Sequence, residues 1–197
     1  MSATKGQQIG IWIIAIVLTV GTIGSFVAIV LQNENQAKDS VTQQADYEKQ
    51  LAEYQEQQKA AAKENADNSI AIEGYSAAPF DTASVSALQK EILVAGTGDE
   101  VKATDSINAS YFGWTSDGVI FDSSTKKDTN TNTPVTFSLA SVIKGWTEGL
   151  TGQRVGSTVK LTIPADLAYG ASGSGTIPAN APLVFIVVIN SIEQATN

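Results

Sequence analysis

Side chains able to do chemistry are few in this chain and unevenly placed. It has no Cys and no His. Thiol nucleophiles, imidazole acid/base catalysis, disulfides and Cys/His zinc sites are therefore excluded. Carboxylates, hydroxyls, aromatic rings, Lys, the single Arg154 and the backbone remain. They concentrate in two runs. The first is Tyr111-Phe-Gly-Trp-Thr-Ser-Asp-Gly-Val-Ile-Phe-Asp122-Ser-Ser. The second is Val142-Ile-Lys-Gly-Trp146-Thr-Glu-Gly-Leu, followed by Val155-Gly-Ser-Thr-Val-Lys-Leu-Thr-Ile-Pro-Ala-Asp-Leu-Ala-Tyr169-Gly, Ile177-Pro and Leu183-Val-Phe185. Taken singly, Trp146 on an apolar helical face and Tyr111, Phe121, Phe137 and Phe185 in strands read as core. Tyr169 differs, because it precedes the loop Gly170-Ala-Ser-Gly-Ser-Gly and is placed to cover a pocket. Asp122 differs too. Strict strand alternation points Phe121 inward and Asp122 outward. A bulge or strand end is needed for both to border one pocket.

The elements that must position these residues begin near residue 85. Strand signals occupy 85–94, 106–114, 119–121, 135–139 and 155–163. The run Leu183–Ile192 is the most apolar and reads as buried on both faces. Ser116-Asp-Gly marks a tight turn. Residues 139–150 carry one short helical pattern, with Val142, Ile143, Trp146 and Leu150 to one side. This predicts an α+β domain, a twisted antiparallel sheet burying one face against a short helix. Residues 69–84 lack periodicity and read as an extended arm pinned by Phe80.

As an ordered set, the two runs resemble the FKBP-type peptidyl-prolyl cis/trans isomerases over about residues 85–193. The resemblance implies a five- or six-stranded antiparallel sheet wrapped around one short helix, with a hydrophobic pocket between them. It also implies the pocket's parts. Trp146 forms the floor, and Tyr111, Phe121 and Phe185 form aromatic walls. Phe137, Val142 and Ile177 complete the lining. The Ile143 N–H and the Tyr169 hydroxyl hold substrate carbonyls, and Asp122 lies beside the twisting amide. Three positions depart from the family pattern. Val135 stands where many members carry an aromatic, Ala140 stands where Gly is frequent, and the Gly173–Ile177 loop is about a residue shorter. The activity implied is isomerisation of Xaa-Pro bonds in polypeptide clients, without cofactor or metal. Macrolides are candidate ligands of the same pocket. A non-enzymatic chaperone or peptide-binding module on the same fold is the alternative.

The rest of the 197-residue chain has a different texture. Ile9–Leu31 is a run of 23 residues without a charge. As a helix it would span ~34 Å, a little more than the ~30 Å hydrocarbon layer. The run therefore predicts an uncleaved single-pass anchor, with Trp12 near the headgroup level. Lys5 in the tail 1–8 favours a cytoplasmic N-terminus and an extracytoplasmic C-terminal part. Residues 32–68 are rich in good helix formers. Tyr47, Leu51 and Tyr54 fall on one face, too short a stripe for a sustained coiled coil. The segment is expected to be a solvated spacer helix ending between Asn65 and Asn68. The organisation expected is thus tail 1–8, transmembrane helix 9–31, stalk 32–68, arm 69–84 and isomerase-like domain 85–197. The net charge of −8 argues against nucleic-acid binding, and the fading heptad pattern argues against an oligomer.

Overall fold

The computed structural model describes residues 37–193. The apolar run Ile9–Leu31 lies outside them. Among the described residues, no helix is long and apolar enough to cross a membrane. The chain divides into two units, Met1–Leu51 and Ala52–Asn197. In the first, the described part is the opening of helix α1 (Ala37–Asn68), where Tyr47 and Leu51 are exposed. The last turns of α1 belong to the second unit.

The second unit is built on a six-stranded antiparallel sheet. Its strands are β2 (Gln89–Val94), β3 (Ser106–Trp114), β4 (Ile120–Ser123), β7 (Val135–Ser138), β8 (Thr158–Ile163) and β9 (Leu183–Glu193). The order is β2-β8-β9-β3-β4, and β7 pairs with the first half of β3. A small second sheet joins β1 (Ser69–Ile70), β5 (Thr125–Lys126) and β6 (Thr131–Asn132). Among the described residues after α1, the one α-helix is α2 (Lys144–Leu150).

Alternation along β3 and β9 explains how both faces become buried. Ile107, Ala109 and Tyr111 point to one face with Phe185, Val187 and Ile189, and there they meet Trp146 and Leu150 of α2. Phe112 and Trp114 point to the other face with Val184 and Ile186. That second face is covered by the arm, through Ala71, Ile72, Tyr75, Ala77 and Phe80. The Trp114 indole N–H donates to the Ala78 carbonyl at 2.9 Å, and the Phe80 N–H to the Ser116 carbonyl at 3.0 Å. A strand covered on both sides needs apolar residues at consecutive positions, hence the unbroken Leu183–Ile189 run. Each such side chain, fully buried, contributes about 1.5–3 kcal/mol.

Helix α2 lies close on β8 because two of its residues lack a side chain. A Cβ on Gly145 would sit 2.3 Å from Ile163 Cγ2, and one on Gly149 2.6 Å from Leu161 Cδ2. The helix starts at Lys144, later than the pattern from 139 suggests. Residues 138–141 form a turn, with the Ser141 N–H donating to the Ser138 carbonyl, and Ile143 is extended at φ −59°, ψ 145°.

The expectation of a fully solvated spacer fails for the last turns of α1. Gln58, Ala62, Asn65 and Ala66 are half-buried at helical spacing. The helix ends at Asn68 and runs straight into β1. Its final carbonyls are not left to water: the Lys127 N–H donates to the Asn68 carbonyl at 2.7 Å, and the Ser69 hydroxyl to the Asn65 carbonyl at 2.7 Å.

Candidate active site

The site grows from a kink in β4. Gly113 pairs with Asp122 but Trp114 pairs with Ile120, so Phe121 is the extra residue of a bulge. The bulge turns the Phe121 ring into the core while Asp122, the next residue, stays half-buried at the rim. Gly113 gives the ring its room. A Cβ there would lie 2.6 Å from Phe121 Cζ and 2.5 Å from Phe185 Cε1. Ser124 clamps the far end of the kink, accepting from the Tyr111 N–H at 2.9 Å and donating from its own N–H to the Tyr111 carbonyl at 2.8 Å.

Trp146, projected from α2, stands at the centre of an aromatic cluster. Its ring meets Phe137 at 5.1 Å, Tyr111 at 5.4 Å and Phe185 at 5.4 Å, each edge to face. Tyr111 meets Phe137 at 5.3 Å, and Phe185 meets Phe121 at 5.5 Å, in the same geometry. Edge-to-face pairs add about 0.5–1.5 kcal/mol each beyond area burial, so the cluster is held as one rigid body. The Trp146 indole N–H is buried without a hydrogen-bond acceptor. Val142, Ile143 and Tyr169 are half-buried against this core, and Ile177 is buried in it. Ile143 occupies the cap position ahead of α2, so its own N–H precedes the helical hydrogen-bond ladder. Tyr169 lies between two 3₁₀ turns, Ala165–Leu167 and Gly170–Ser172.

Polar groups at the rim converge on Asp122. Its carboxylate accepts a short hydrogen bond from the Tyr111 hydroxyl, one from the Ser123 N–H at 2.8 Å and one from Asn65 Nδ2 at 2.9 Å. Lys126 Nζ lies 3.4 Å away. Burial, then the Asp122 charge and its hydrogen bond, pushes the Tyr111 phenol well above its usual range. Burial and, secondarily, Asp122 push Tyr169 up to about 12. Both phenols are therefore neutral donors at physiological pH. The arrangement is a buried aromatic cluster with the Asp122–Lys126 pair and two phenol hydroxyls at its edge. Nothing in it is a metal cluster: among the described residues, no group of His, Cys, Asp or Glu could hold an ion.

All ten residues singled out from the sequence thus fall on one cluster or its rim. Asn65 and Lys126 do not appear among them. Lys126 Nζ bonds Asn65 Oδ1 at 2.6 Å, which makes Asn65 a bridge between the lysine and the carboxylate. Asn65 lies in a polar helix, 57 residues before its partner, and no local periodicity marks such a contact.

Comparison with known proteins finds similarity to one family. Residues 98–190 match the model of FKBP-type peptidyl-prolyl cis-trans isomerase. The FKBP-type peptidyl-prolyl cis-trans isomerase FkpA of Aeromonas hydrophila is 47% identical over 109 residues, 55% of this chain and 39% of that protein. The outer membrane protein MIP of Legionella longbeachae is 40% identical over 111 residues, 56% of this chain and 46% of that protein. This chain thus spans less than half the length of these curated relatives. The crystal structure of AtFKBP13 is similar at 33% identity and a TM-score of 0.47, over 54% of this chain and 93% of that one. Through residues 98–190, the chain is thus similar to the FKBP-type peptidyl-prolyl cis-trans isomerase family.

Proposed function

We propose that this protein catalyses cis/trans isomerisation of Xaa-Pro bonds in polypeptide clients, and that it does so by non-covalent stabilisation of the twisted amide. The observation that carries the reading is the Trp146-centred aromatic cage with Asp122 and Tyr169 at its rim. Amide resonance sets a rotational barrier of ~18–20 kcal/mol. No covalent bond has to break, so neither nucleophile nor metal is required. A catalyst must bind the twisted amide more tightly than either planar form. Twisting removes resonance, which makes the carbonyl more ketone-like and the group less dipolar. A dry cage favours that form. Fixed donors orient it without reorganising during the step.

In this reading the proline ring sits on Trp146 between Tyr111, Phe121 and Phe185, with Phe137, Val142 and Ile177 closing the sides. The Ile143 N–H and Tyr169 hydroxyl hold client carbonyls, and Asp122 faces the rotating carbonyl. The same cage is the candidate site for macrolide ligands. The charge-free run Ile9–Leu31 supports a single-pass membrane anchor, and Lys5 supports display of the C-terminal domain outside the cytoplasm, where exported chains fold. The test is a protease-coupled isomerase assay of the full chain in detergent micelles on a Xaa-Pro tetrapeptide. Acceleration in proportion to enzyme is expected. A rate equal to the spontaneous one overturns the reading in favour of a non-enzymatic binding module.

A further inference from the structure

Helix α1 makes two contacts around the candidate site, one at Asp122 and one at the loop that joins Tyr169 to Ile177. At the first, Asn65 Nδ2 donates to Asp122 Oδ1 at 2.9 Å and reaches the Phe121 carbonyl at 3.5 Å. At the second, Ala62 faces Gly175, close enough that a Cβ on Gly175 would lie 2.7 Å from Ala62 Cβ. Gly175 is in the loop that leaves Tyr169 and returns at Ile177. That loop is held shut by reciprocal hydrogen bonds between Ser174 and Ile177, at 3.0 and 2.8 Å. One helical turn before Ala62, Gln58 is half-buried and its amide Nε2 is fully buried. The face Gln58-Ala62-Asn65 therefore runs from the loop contact to the Asp122 contact.

The chemistry of this face is that of a reversible contact. It presents Ala and carboxamides where a permanent core helix would present Leu or Ile. The Gln58 Nε2 is buried with no hydrogen-bond acceptor, so docking leaves a polar group desolvated and unpaid. Asn65 satisfies Asp122 and Lys126, but both can be satisfied by water or by a bound peptide instead. In the proposed mechanism, a client chain whose proline enters the cage runs its flanking residues past Asp122 and the Tyr169–Ile177 loop, where α1 makes its two contacts.

We propose that the last turns of α1 are a built-in cover that competes with client polypeptide for the pocket mouth, so that the catalytic domain is partly self-inhibited until a client displaces the helix. The proposal rests on the isomerase reading and deepens it, since the occupant it names shares the client's site.

The chain has no Cys, which permits a clean reversible lock. Ala62→Cys with Gly175→Cys places two Cβ atoms within roughly 1 Å of the ~3.8 Å separation a disulfide takes. The full chain in detergent micelles, carrying both changes, is assayed oxidised and again after reduction. The Gly175→Cys single variant measures what the loop change does by itself. Oxidation should join the pair quantitatively and lower kcat/KM at least ten-fold, with recovery on reduction. Ala-Ala-Pro-Phe at saturating concentration should slow the cross-linking several-fold. Failure to cross-link, an unchanged cross-linking rate with peptide, or an oxidised form as active as the reduced one each overturns the cover. The two readings fail separately. An active reduced protein whose lock has no effect removes only the cover, whereas a reduced protein with no activity at all removes the isomerase reading beneath it.

Discussion

Asp122 and Tyr169 carry different burdens at the rim, and substitution should separate them. In the proposed mechanism, removing the Asp122 carboxylate takes away the charge beside the rotating carbonyl, and in the structure it removes the acceptor of the Tyr111 hydroxyl. Asp122→Ala is expected to lower kcat/KM by several-fold to tens-fold, about 1–2 kcal/mol at the transition state. Its folding cost should be about 1–3 kcal/mol, chiefly because the buried Tyr111 hydroxyl loses its acceptor, while the ion pair with Lys126 is of the weak surface kind. Chemical denaturation alongside the coupled assay checks both numbers, and full activity in Asp122→Ala would remove the residue from the mechanism. Tyr169 is read through pH. Its folded-state titration is raised by burial and by Asp122 to about 12, above the usual value of 10.0. The native state therefore holds the phenolic proton where the unfolded chain has lost it. That stability is fully present below pH 10 and drains away as pH rises through 12. Tyr111 adds a loss of the same sign. Tyr169→Phe should flatten the alkaline fall in stability measured by urea titrations between pH 9 and pH 12, while mainly raising KM at neutral pH. Trp146→Ala is the contrasting case. It deletes the centre of the aromatic cluster and is expected to cost ~3–5 kcal/mol of stability, so its inactivity would say little about chemistry.

At the level of elements, close packing decides what propensity cannot. Gly145 interrupts a helix in which Ala would be favoured by up to ~1 kcal/mol. The methyl group would meet Ile163 at 2.3 Å, and overpacking of that kind costs ~1–3 kcal/mol. Gly145→Ala is therefore expected to destabilise the domain by about 1–2 kcal/mol and to push Trp146 away from Phe185. A lower urea midpoint with weakened activity would follow, and a higher midpoint would show that β8 yields. This balance also explains what could be read ahead of the structure. The alternation of β3 and β9 and the apolar face of α2 are written locally, so sheet and helix were visible in the residues, whereas the pocket lining came only from the family resemblance. The family resemblance needed both Phe121 and Asp122 at one pocket, which implied a bulge or a strand end, and the β3–β4 register contains a bulge. The role of α1 was not visible in the same way. Its contact face is Gln58, Ala62, Asn65 and Ala66, which differs little in polarity from its solvent face. The aromatic stripe Tyr47, Leu51, Tyr54, the stronger local signal, is exposed. The start of α2 was read five residues early, because an apolar pattern does not distinguish a helix from the turn that leads into it.

On the scale of the whole chain, the question is which segments the fold needs and which only locate it. The unit Ala52–Asn197 contains the sheet, the arm, the cage and the last turns of α1. Residues 9–31 are an apolar, charge-free stretch long enough to span a bilayer, and residues 1–8 and 32–36 flank it. If that stretch is the anchor, removing residues 1–31 should leave the described fold intact and change only where the protein partitions. The expected outcome is a shift from the membrane pellet to the soluble fraction, with an unfolding free energy from urea titration within ~0.5 kcal/mol of the full chain and kcat/KM within two-fold of it. Orientation is tested on the full chain. Protease added outside intact cells, with any outer barrier permeabilised, should digest residues 52–197 if Lys5 marks the cytoplasmic side. Digestion only after lysis would reverse the topology. A truncated chain that still pellets with membranes would mean that residues 32–197 bind the bilayer or a membrane partner by themselves, and Ile9–Leu31 would lose its assigned role.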